Sequence, residues 1–132
     1  LINERCQATF DVASIEFGEN SFWVFQDIGY EIKCKLNNPV NELEDRLVQE
    51  GWNCSPFPEE MVKEILSDTA FRREMYQLNN STKSYWLYLD VDALQHGKKD
   101  DRMSAFQYGT PHYLVALYIP EDNVLYYLEC SI

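Results

Sequence analysis

Scarcity narrows the possibilities for this chain more than abundance does. It holds only two histidines, His96 and His112, so a three-histidine zinc site is excluded. Its four cysteines, Cys6, Cys34, Cys54 and Cys130, form no Cys-x-x-Cys pair and no Cys-His spacing suited to zinc. The five glycines never gather into a phosphate-cradling loop, and no Gly-x-Ser-x-Gly elbow presents a serine nucleophile. No run of 18 or more apolar residues is present, so no membrane span is expected. No signal-peptide pattern is present either, although the chain begins at Leu1 rather than Met, and a leader removed earlier stays open as the route to secretion.

Positive charge is also scarce. Eleven Lys and Arg stand against 22 Asp and Glu, giving a formal net charge of -11. The long-range field of such a chain repels nucleic-acid phosphates and anionic lipid, so neither direct nucleic-acid binding nor membrane attachment is expected. The same field speeds docking to a basic protein, for instance the nucleic-acid groove of another protein. Acidity also serves solubility alone, and that plainer role needs no partner.

Length and hydrophobic content place the chain among ordinary globular proteins. A single domain of 132 residues buries enough surface to fold without metal or disulfides. Cys34 and Cys130 lie in apolar strand patterns, where a free thiol acts as a small hydrophobe, while an even number of cysteines equally permits two disulfides. A reducing cytoplasm is the expected setting. Asn53-Cys54-Ser55 and the overlapping Asn79-Asn80-Ser81-Thr82 match the glycosylation pattern, which is short enough to arise by chance.

The hydrophobic pattern predicts strands over 10–17, 21–26 and 28–36, the last alternating Ile28, Tyr30, Ile32, Cys34 and Leu36 with Glu31, Lys33 and Lys35 as a half-buried strand with one wet face. A helix follows, capped by Asn41, with Leu43, Leu47 and Val48 on its apolar stripe and Gly51 at its end. Pro58 opens a second helical region, and Ser67 or Asp68 caps a third through Met75 to about Leu78. Residues 94–111 read as a long loop. Strands over 112–119 and 124–131 form a hairpin, apolar enough to lie at the centre of a sheet. Strands first, helices in the middle and strands last predict an α+β fold. It has an antiparallel or mixed sheet of five to six strands, with two to three helices packed on one face.

The segment over 84–92 carries the most pointed pattern. Tyr85, Leu87, Leu89 and Val91 fall on one side of a strand, and Trp86, Tyr88, Asp90 and Asp92 on the other. Joined by Tyr118 and by the loop residues Phe106 and Tyr108, that second face predicts a partner-binding surface of aromatic anchors with acidic neighbours. The competing expectation is that helices cover it and bury the rings as core. On the binding reading the protein is a non-enzymatic inhibitor or immunity-type protein, without a cofactor, that covers the basic nucleic-acid-binding site of a toxin or nuclease.

A second function class comes from the carboxylates. Asp90 and Asp92 sit two apart at the end of an apolar strand, able to share a divalent cation. Over residues 87–92 this pattern resembles the metal-binding strand of several nucleotide-using enzymes, including sugar transferases and archaeo-eukaryotic-type primases. The resemblance implies Mg or Mn on Asp90 and Asp92, with His112 as a phosphate-binding helper and a nucleotide or phosphate compound as substrate. Glu31-x-Lys33 resembles the acid-x-lysine element of restriction-type nucleases, and alternating charge on a surface strand is equally a solvated face. A Cys-His catalytic pair would require an exposed, acidic thiol. Oligomeric state and partner identity leave no mark on the sequence.

Overall fold

The computed structural model describes residues 2–6, 10–17, 28–64, 66, 69–91 and 112–131. In chain order these form α1 (Ile2–Cys6), β1 (Val12–Phe17), β2 (Ile28–Leu36), α2 (Val40–Gln49), β3 (Asn53–Cys54), α3 (Glu59–Glu64), α4 (Ala70–Ser81), β4 (Tyr85–Asp90), β5 (His112–Ile119) and β6 (Val124–Ser131). The fold is α+β. Its six strands make one antiparallel sheet in the order β1-β2-β6-β5-β4-β3. The strands expected over 28–36, 112–119 and 124–131 are all there, and the apolar hairpin β5–β6 occupies the centre. The expected strand over 21–26 and the loop over 94–111 lie outside the described residues.

A strand buried on both faces needs cover on both faces, and that requirement divides the helices. On one face Leu43 and Leu47 of α2, together with Cys6 and Phe10, pack on Cys34, Leu87, Leu114, Ala116, Tyr118 and Tyr127. On the other, Met61 of α3 and Met75 of α4 pack on Trp86, Tyr88, Val115, Leu117 and Leu128. Two helices therefore lie on one face as expected, and α1 and α2 cover the opposite one. Residues Leu114 to Ile119 have no solvent exposure at all, which accounts for their unbroken apolar sequence.

Local chemistry explains the helix boundaries. Helix α4 is capped by Thr69, rather than by Ser67 or Asp68, and the Thr69 side chain accepts a hydrogen bond from the Arg72 backbone N–H at 3.1 Å. The cap of α2 is Pro39 rather than Asn41, with no side-chain bond; the fixed φ of proline, here -60°, suits that entry. Gly51, at φ +86°, takes the left-handed turn after α2 that a side chain would resist. It sends Trp52 back into the core, edge-on to Phe10 at 6.0 Å between ring centres.

Polar groups inside the fold are tied off in pairs. Asn79 on α4 is 2% exposed; its Oδ1 accepts the Phe57 N–H at 2.5 Å and its Nδ2 donates to Ser84 Oγ at 3.1 Å. One side chain thus fastens α4 to the segment before α3 and to the start of β4. Replacing it leaves the Phe57 N–H without its acceptor in a dry site. Asn79→Ala should lower the unfolding free energy by about 2–3 kcal/mol in urea denaturation, with an unchanged slope; a loss below about 1 kcal/mol would show that this tie is dispensable.

Candidate functional site

The aromatic face expected to meet a partner is interior. Trp86 is 5% exposed and Tyr88 1% exposed, both beneath α3 and α4, and Tyr118 is fully buried on the opposite face beneath α2. Trp86 spends its indole N–H on the Cys54 carbonyl at 3.0 Å and leans on Phe57 at 5.7 Å. Tyr88 stacks on Tyr113 at 6.0 Å. The face is aromatic because it fills a deep helix-sheet interface, and a ring so placed reaches no partner. Phe106, Tyr108 and Asp92 lie outside the described residues.

Asp90 ends β4 on the α4 side of the sheet, opposite Tyr113 and partly exposed. His112 precedes Tyr113 in β5 and so points to the other side, where its Nε2 lies 2.9 Å from Glu129 Oε2. The sheet itself separates them, so His112 cannot assist chemistry at Asp90. Among the described residues no three His, Cys, Asp or Glu side chains are grouped to hold a metal ion.

That end of the sheet holds two buried carboxylates, one per face. Glu129 is 5% exposed and accepts the Tyr127 hydroxyl as well as pairing with His112. Glu31 is fully buried and accepts the Thr69 hydroxyl at 3.0 Å. The charged face of β2 is therefore wet only towards its far end: α4 covers Glu31, while Lys33 lies half-buried over the Tyr126 ring and 3.9 Å from Glu74. Glu31 and Lys33 so placed are a covered face, with a hydroxyl donor for the acid and a ring and a carboxylate for the base.

Cys6 lies near Glu129, but burial, and after it the Glu129 charge, push its thiol up to about 12, away from any thiolate. Burial likewise raises Cys34 to about 11. All four cysteines are free, and Cys54 is the exposed one. Of the glycosylation patterns, Asn79 is consumed inside the core, whereas Asn53 and Asn80 are exposed.

The opposite end of the sheet assembles something the sequence reading did not foresee. Asn123, in the β5–β6 turn at φ +51°, donates from Nδ2 to the Leu36 carbonyl at 3.1 Å and the Asn38 carbonyl at 3.0 Å. Its Oδ1 accepts the Tyr118 hydroxyl at 2.7 Å, and its backbone carbonyl accepts the Leu36 N–H. Asn38 in turn accepts the Asp11 N–H at 2.7 Å, and the Asp11 carbonyl accepts Asn37 N–H. Two asparagines thus bolt together three chain segments that are far apart in sequence. Comparison with protein-family models, curated proteins and solved structures finds no match.

This bolted end carries exposed acids: Asp11 before β1, Glu121 and Asp122 beside Asn123, and Glu42 in the first turn of α2 next to Asn38. Asp45 and the exposed apolar Val48 continue along the outer side of α2. Arg46 and Lys35 are the exposed bases nearby. The helix is held in orientation by Leu43 and Leu47 in the core and by Glu44, which accepts the Tyr85 hydroxyl at 2.9 Å and pairs with Lys83 at 3.2 Å. The carboxylates are free to meet solvent while their backbones are fixed, so a cation arriving there finds a preorganised set.

Burial of Cys6, Cys34 and Tyr118, the last raised to about 12, has a pH consequence. Folded values above the ordinary 9.0 for thiols and 10.0 for phenols mean that the folded state prefers the protonated forms. Their contribution is complete below about pH 9 and is lost as the pH rises towards 12. Urea midpoints should therefore fall across that window. At about pH 8, a thiol reagent should label Cys54 long before Cys6 or Cys34; rapid labelling of Cys6 in the folded protein would contradict the burial argument.

Proposed function

We propose that this protein is an acidic binding protein of inhibitor or immunity type, which covers a basic, nucleic-acid-binding surface of a toxin or nuclease. The observation that supports it is the fixed acidic end: Asp11, Glu42, Glu121 and Asp122 exposed around the Asn38–Asn123 ties. The docking surface moves accordingly from the Trp86 face to this end. Carboxylates on tied backbones lose little freedom when they pair with Lys or Arg, and the net charge of -11 accelerates the encounter. Val48 beside Asp45 offers an apolar contact at the margin. The field of the chain opposes nucleic acid itself, so the partner is the protein that binds it.

The test is capture from the source cell by the full chain and by a variant with Asp11→Lys, Glu42→Lys, Glu121→Lys and Asp122→Lys. The wild type should retain a basic protein that the variant loses. The affinity of the isolated pair should drop at least about tenfold as salt rises from about 50 to 500 mM. Equal capture by both chains, or a complex indifferent to salt, would overturn the proposal.

A further inference from the structure

We draw no further inference here: the strongest candidate, the polar groove between Ser55–Pro56 and the last turn of α4, lined by Asn80, Ser81, Thr82 and Lys83, carries nothing beyond its shape, because Lys83 is already engaged by Glu44 at 3.2 Å and by the Tyr85 ring, and nothing in the structure shows what covers it.

Discussion

The structure depends on the central hairpin β5–β6 being apolar on both faces. A strand such as Leu114 to Ile119, with no exposed residue, cannot be half of a two-layer domain, so helices must be recruited to both sides. From that constraint follow the division of α2 from α3 and α4, and the burial of the Trp86 face. It also explains why each polar side chain near the centre is tied. Asn79 on α4, Thr69 at its cap, and Glu31 and Glu129 on the sheet are all buried, and each is held by a hydrogen bond to backbone, hydroxyl or imidazole.

Burial at the centre leaves the exposed charge at the margins. Buried Glu129 with His112 and Tyr127 ties β5 to β6, and buried Glu31 with Thr69 ties β2 to the cap of α4. The exposed chemistry sits elsewhere, at the acidic end fixed by Asn38 and Asn123 and along the edge of β1.

Much of the fold was legible in the sequence because its signals are local. Alternation from Ile28 to Leu36, the continuous apolar runs of β5 and β6, and Gly51 beyond α2 each announce an element within a few residues. Helix caps were less legible, since Ser67, Asp68 and Thr69 are all competent and only the geometry chooses Thr69. The site was legible only in its charge. Trp86 and Tyr88 suit an exposed anchor and a core filler equally well, and which they become depends on where α3 and α4 dock. Asn123 is recognisable as a turn residue, but its bonds to Leu36 and Asn38 span more than 80 positions and have no local trace. The bulge at Ala13, which turns Ile15 towards the α1 side, likewise shows only in the pairing with β2.

The middle of the sheet is sealed on both faces, whereas the residues of β1 at its edge are exposed. Native-state amide hydrogen exchange measures this most directly. The amides of Leu114 to Tyr118 should exchange only through global unfolding, with those of Val12 to Glu16 faster by about two orders of magnitude or more. Exchange of β5 as fast as that of β1, unresponsive to mild denaturant, would contradict the account.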